Sequence, residues 1–557
     1  MRRLVVLLLA ASAAAQAPND SGLPLEPEQA AFDATYYALD LAVDPARRAI
    51  DGTLTMEARV VQPTAAILLD LDAPLAVASV DEMGPAGAVA RRFERTGHRL
   101  RIGLGRTAQP GERLRLRIAY GGTPREAVRP PWDGGFTWTT TADGTPWVAV
   151  SCQVQGADLW WPVKDHPSDE PDSMRVALTV PDALRAISNG RWEGRTENGD
   201  GTATERWFVS TPINNYGVSF GIGPYQPVEL DYQSPAGYSM TVPFWVVPER
   251  LDDARRQLPS LLRDLDFLER TFGPYAWRAD GYKILHTPYL GMEHQSLVAY
   301  GSTFEDNAYG FDWLHFHELA HEWWANLGSA TDWRDFWIHE SFANYAEALR
   351  AEDVARQTGG AEAAETAYLG YLARTRAGHN NVIPLAPRAS RTTQQVYQLP
   401  DGRGNLDIYH KGGWVLHSVR TLMDDDAAFF AAMRSILYPT PAHEQVTDGR
   451  QARFVSTEDV VAAFSRAARR DLSDVFEVYL RQPAVPRLAA ARDGGEVVLR
   501  WIVPEAAGDV TFDVPVVLLV DGEPRRVAMP DGAGRTAVAP GAEWQVDARR
   551  LLFEPAD

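Results

Sequence analysis

The chain carries a single cysteine, Cys152, among its 557 residues, so no internal disulfide can form even in an oxidising compartment. Beyond the first fifteen residues no stretch stays apolar for 18 positions, and a membrane-spanning helix in the mature chain is not expected. Positive charge is also scarce. Lys and Arg number 54 against 74 Asp and Glu, a formal charge of −20, which argues against a nucleic-acid partner because phosphate backbones are gripped by cationic faces. Internal repeats and low-complexity tracts are missing, and Gly402-Arg403-Gly404 is too short to count as a phosphate-binding loop.

What is present begins with an export signature. Met1-Arg2-Arg3 is followed by apolar Leu4–Ala11 and then by Ala13-Ala14-Ala15, the basic, apolar and small-residue parts of a signal peptide over residues 1–15, with cleavage before Gln16. A secreted or periplasmic location follows. Losing Arg2 and Arg3 takes the charge to −22, and an acidic, solubilising surface is sufficient reason for it.

Length calls for several domains, since single cores stop growing well below this size. After a tail at 16–35, period-two alternation such as Tyr37–Val43 and Leu114–Tyr120 predicts an all-β domain over 36–235. Helical spacing then starts near Leu251, where Leu258, Leu261, Leu262, Leu265 and Leu268 share a face. It runs, with loops, through a unit at 236–482, and Ser456 with Asp459 offers a helix cap before Val460. Past Pro483 the pattern returns to strands, Glu496–Val503 and Val514–Val520, the second followed by Asp521-Gly522. This predicts a small β-sandwich with a hairpin over 483–557.

The chemistry is concentrated between Leu314 and Tyr345. His317-Glu318-Leu319-Ala320-His321 lies on an apolar helical stretch, and residues four apart can aim two imidazoles at one ion. A catalytic zinc takes three protein ligands and keeps one position open. Glu340, in the helix-like run Trp337–Tyr345, is the expected third ligand, with one zinc ion per chain. Glu318 is turned about 100° from His317. It suits a general base that takes a proton from the water the metal activates, rather than a ligand. Trp324 and Leu327 stand where a metzincin needs glycine and histidine. Ser341 stands where a thermolysin-type site needs its glutamate. His315 points about 200° away from His317, and His339 and His410 merely flank the motifs. Glu322 and Glu347 are candidates to orient the ligands, with solvated helix carboxylates an equally good reading.

The two-histidine helix and the 18-residue gap from His321 to Glu340 resemble peptidase family M1, the zinc aminopeptidases of the aminopeptidase N and leukotriene hydrolase group. That family precedes the helix with Gly-x-Met-Glu-Asn. Here Gly291-Met292-Glu293 matches, while Leu290 and His294 depart from the pattern. The resemblance gives Glu293, with Gly291 and Met292 beside it, the task of binding substrate by its free α-amino group. A buried carboxylate can read a terminal ammonium by a charge-assisted bond that an internal peptide cannot return. In the same way Ile408-Tyr409-His410-Lys411-Gly412-Gly413 is similar to the family's Tyr-Glu-Lys-Gly segment, which makes Tyr409 the oxyanion donor. Ser151-Cys152-Gln153 resembles the segment that reaches in from the first domain, which lets Gln153 share the amine with Glu293.

The fold implied is multidomain α+β: an N-terminal all-β domain, a thermolysin-like catalytic domain and a small C-terminal β-sandwich. The large helical domain of longer relatives has no counterpart here, so an open cleft is expected. The function implied is zinc-dependent removal of N-terminal residues from peptides. Two alternatives stay open: a zinc endopeptidase, separated by its action on blocked peptides, and a non-catalytic binding protein. The preferred side chain and the oligomeric state are not legible.

Overall fold

Alternation in the first third becomes antiparallel sheet in the computed structural model, which describes residues 20–556. The expected signal at 1–15 lies outside them. The strand Phe32–Asp44 turns Tyr37, Leu39, Leu41 and Val43 inward. It pairs antiparallel with Ala49–Val60 and parallel with Ser173–Pro181, at the centre of an eight-stranded sheet. Gln29 and Ser21, in the segment expected to be a tail, are buried against this unit. A four-stranded sheet includes Pro146–Ser151, whose end delivers Cys152 and Gln153 toward the helical unit.

The catalytic sheet has five strands: β1 (Gln226–Gln233), β2 (Ser239–Val246), β3 (Lys283–His286), β4 (Gly291–Met292) and β5 (Leu297–Tyr300). Their order is β1-β2-β3-β5-β4, with β4 antiparallel to β5 and at the edge. Because β1 pairs with β2, this sheet begins before residue 236. Helix α1 (Leu251–Phe272) buries all five leucines of its expected stripe. Then come α2 (Trp313–Ala320), α3 (Trp337–Arg376, broken at Gly360), α4 (Thr393–Tyr397) and α5 (His410–Met423). Ser456 and Asp459 form a reciprocal cap on the helix Thr457–Ala468.

After Pro486 the chain forms two small sheets. Val497, Leu499 and Trp501 of one, and Val516, Leu518 and Val520 of the other, are buried. The hairpin Val516–Val520 to Glu523–Val527 turns at Asp521-Gly522. The architecture is therefore the α+β arrangement expected. Among the described residues no helix is long and apolar enough to cross a membrane.

All three lysines of the chain are buried, and two tie units together. Lys283 donates to the Gly190 carbonyl of the first domain. Lys411 donates to the carbonyls of Gln482 and Pro483 at 3.2 and 2.6 Å, holding the start of α5 where the chain leaves for the C-terminal sheets. A buried ammonium persists only with such partners.

Candidate active site

Helix α2 starts at Asp312, whose carboxylate accepts from the His315 amide at 3.1 Å, and it presents His317 and His321 one turn apart. The helix stops there. Trp324 and Ala325 leave helical geometry, which turns the Trp324 carbonyl back onto His321 Nδ1 at 3.0 Å. The Trp324 ring stacks on Phe342 of α3 at 4.0 Å. This stack holds the turn after His321 against α3 and brings Glu340 up to the histidines.

The three donor atoms converge. His317 Nε2 and His321 Nε2 are 3.3 Å apart, and Glu340 Oε2 lies 3.3 and 3.5 Å from them. A tetrahedral zinc with bonds of about 2.0–2.1 Å needs ligand separations of roughly 3.3–3.4 Å. Glu340 Oε2 is buried without a hydrogen-bond partner among the described residues, as an oxygen reserved for a cation would be. Each imidazole is oriented through its other nitrogen: His321 by the Trp324 carbonyl and His317 by Glu347 Oε1 at 2.7 Å. Tyr371 in turn donates to Glu347 Oε2 at 2.5 Å.

Charge at the site asks for the same ion. Burial raises the cost of a charged Glu340, yet the two imidazoles outweigh it and hold its carboxyl well below the usual range. Burial likewise opposes charge on His317, but Glu340 and Glu347 win and lift it above its ordinary value. Glu318 is pushed up to about 8, first by burial and further by Glu293, with His317 pulling the other way. Several carboxylates around two imidazoles form an anionic hole that a dication neutralises.

Glu293 follows edge strand β4 and is buried, with an oxygen within 4.8 Å of donor atoms of Glu318 and His321. Tyr216 of the first domain donates to its carboxylate at 3.2 Å. Asn326 donates to its carbonyl at 3.1 Å. Gly291 is where a side chain has no room: a Cβ there would sit 2.7 Å from Glu318 Oε1 and 2.7 Å from Leu314 Cδ1. Gly291→Ala should therefore displace Glu318 at a cost of about 1–3 kcal/mol. In steady-state assays kcat/KM should fall tenfold or more; an alanine enzyme with the parental kcat would show that Glu318 is not confined there.

Tyr409 reaches the cleft because α5 crosses α3 closely. A Cβ on Gly412 would lie 1.7 Å from Ser341 Oγ, and Ser341 donates to the Ile408 carbonyl at 2.5 Å. The glycines of Lys411-Gly412-Gly413 thus serve helix contact. The Tyr409 ring lies 6.1 Å from that of His317. Burial, and the nearby carboxylates of Glu340 and Glu293, push its phenol well up, so it is held as a neutral donor.

These groups line one cleft of about 690 Å³, to which the first domain contributes Pro131, Trp132 and Gln153. Gln153 donates to the Tyr397 hydroxyl at 2.6 Å. His315 binds Tyr282 at 2.7 Å and His339 accepts from the Ala330 amide at 3.1 Å, both outside the donor set. Of the two candidate orienting acids, Glu347 touches His317. Glu322 instead accepts from the Ser296 amide at 2.7 Å. His294 is buried, without a hydrogen-bond partner for either ring nitrogen among the described residues, and burial pushes it down to about 3; it does not line the cleft. Sequence reasoning missed Tyr216, Tyr397 and the Trp324 carbonyl, which lie in no motif.

Comparison with known proteins identifies the family. Residues 263–479 match the Peptidase family M1 domain and residues 33–216 the Peptidase M1 N-terminal domain. The chain belongs to peptidase family M1. This M1 chain is 25% identical to mouse aminopeptidase B over 372 residues, covering 60% of itself and 53% of that protein. It is 27% identical to canine aminopeptidase N over 236 residues, covering 38% and 23%. The chain thus spans about half the length, or less, of these curated relatives. A variant of the M1 zinc metallopeptidase from Deinococcus radiodurans, solved with a Tyr-Ser-Ala substrate, superposes with a TM-score of 0.64 at 25% identity, over 84% of this chain and 98% of that one. The matching Deinococcus structure is that of an M1 zinc metallopeptidase, and the donor set here fits that ion.

Proposed function

We propose that this M1 chain is an exported zinc aminopeptidase that removes residues from the free N-terminus of peptides, with His317, His321 and Glu340 as its metal ligands. The carrying observation is Glu293, a buried carboxylate set beside the metal donors. The zinc, when bound, polarises the scissile carbonyl and acidifies the attacking water. Glu318 takes the proton from that water and hands it to the leaving amine. Tyr409 donates its hydroxyl hydrogen to the carbonyl oxygen as negative charge builds there. Glu293 and Gln153 hold the substrate ammonium, and β4, with no strand on its outer side among the described residues, offers Gly291 and Met292 to the extended peptide backbone. Export rests on the sequence of residues 1–15. The Tyr-Ser-Ala substrate of the Deinococcus relative supports short peptides as the substrate class.

The test compares one peptide with free and acetylated N-termini. The enzyme should cleave the free form far faster, and Glu293→Ala should cost about 10–100-fold in kcat/KM on it, the worth of a charge-assisted hydrogen bond. Equal cleavage of both forms by the parent enzyme would instead establish the endopeptidase reading.

A further inference from the structure

Tyr397 occupies a junction between the first domain and the metal donors. Helix α4 carries Thr393 and Tyr397 one turn apart on one face, and both meet adjacent residues of the first domain. Thr393 Oγ1 donates to the Val154 carbonyl at 2.5 Å, and Tyr397 accepts from Gln153 Nε2 at 2.6 Å. Tyr397 then gives its own hydrogen to Glu340 Oε1 at 2.9 Å. Glu340 Oε2 is the oxygen left to face His317 and His321.

Hydrogen-bond polarity along this path has only one solution. A carboxylate at a metal site accepts and cannot donate, and a phenol has one proton. That proton is committed to Glu340, so toward Gln153 the tyrosine oxygen can only accept. The amide must therefore turn its NH₂ to Tyr397. Its carbonyl oxygen is left for the cleft that Gln153 lines together with Glu293. A substrate ammonium has three donors and no acceptor, so it needs that oxygen.

We infer that Tyr397 is a positioning residue with two effects through one hydroxyl: it turns Glu340 so that Oε2 faces the metal, and it turns Gln153 so that its carbonyl faces the substrate ammonium. The second effect rests on the proposed role of Gln153 as an amine partner; the first does not. Phenylalanine at 397 retains the ring that packs on Phe336 at 5.2 Å, so the variant is expected to fold.

The experiment uses the full-length holoenzyme as parent, Tyr397→Phe, Gln153→Ala and the double variant. Zinc affinity is measured by competition with a chelator, and KM and kcat with an aminoacyl amide reporter. Tyr397→Phe should weaken zinc binding about 10–100-fold, the usual cost of losing a partner that orients a ligand, whereas Gln153→Ala leaves it unchanged. Both single variants should raise KM, and the double variant should raise it no further than Gln153→Ala alone. Parental zinc affinity in Tyr397→Phe overturns the orientation of Glu340. A KM increase that multiplies fully in the double variant overturns the orientation of Gln153. An unchanged KM in Gln153→Ala overturns its amine role and this half of the inference together, while the zinc measurement decides the other half.

Discussion

Glutamine in place of Glu318 is expected to lower turnover by roughly 10²–10⁴-fold while leaving one zinc ion per chain. The substitution keeps volume and removes only the ability to accept a proton. Glu318 follows His317 on α2 but stays out of the set of three converging atoms, grouping instead with Glu293 and His321. Metal content should therefore hold. Burial and Glu293 push its carboxyl up to about 8, and a dication beside it draws the value back toward neutrality, where a base is most effective. Gly291, where a Cβ would lie 2.7 Å from Glu318 Oε1, packs against that carboxyl in the cleft. Metal analysis together with single-turnover kinetics checks both halves. A glutamine enzyme within tenfold of the parent would remove Glu318 from the role of base. Loss of zinc in that variant would make it a ligand.

Stripping the metal should abolish hydrolysis, and zinc alone should restore it. The apo protein should also melt roughly 10 °C lower. That figure combines a stabilisation of about 3–4 kcal/mol from an ion present at 10²–10³ times its dissociation constant with roughly 2–4 °C per kcal/mol for a domain of this size. The physical source is the anionic hole. Glu293, Glu318, Glu340 and Glu347 are all buried around two imidazoles, and buried charges that lose their counter-charge are costly. Without the ion, the imidazoles of His317 and His321 are left to offset these carboxylates, a weaker remedy than a dication. Differential scanning before and after dialysis against chelator measures the shift. A metal-free protein, verified by elemental analysis, that keeps parental activity would defeat the zinc mechanism.

Much of the donor set was legible because its order is local. His317 and His321 are one helical turn apart, so a period of 3.6 puts both on one face, able to meet a single ion, whatever packs around them. The stripe of Leu258, Leu261, Leu262, Leu265 and Leu268 and the alternation from Tyr37 to Val43 are equally local, and they set the α+β class. Glu347 and Glu322 were indistinguishable as orienting acids. The break at Trp324 and Ala325 and the stack of Trp324 on Phe342 decide between them. These bring α3 over His317, while Glu322 meets the Ser296 amide.

The sequence alone therefore determined the helix that carries His317 and His321, the place of Glu318 beside them and the succession of sheet, helix and sheet, because each is written in spacings of a few residues. Tertiary structure alone decided which atoms surround that set. Tyr397 meets Glu340 across 57 positions and Gln153 across 244, and Tyr216 meets Glu293 across 77. No periodicity records such distances; they exist only once a strand of the first domain, a five-residue helix and the catalytic sheet are packed together.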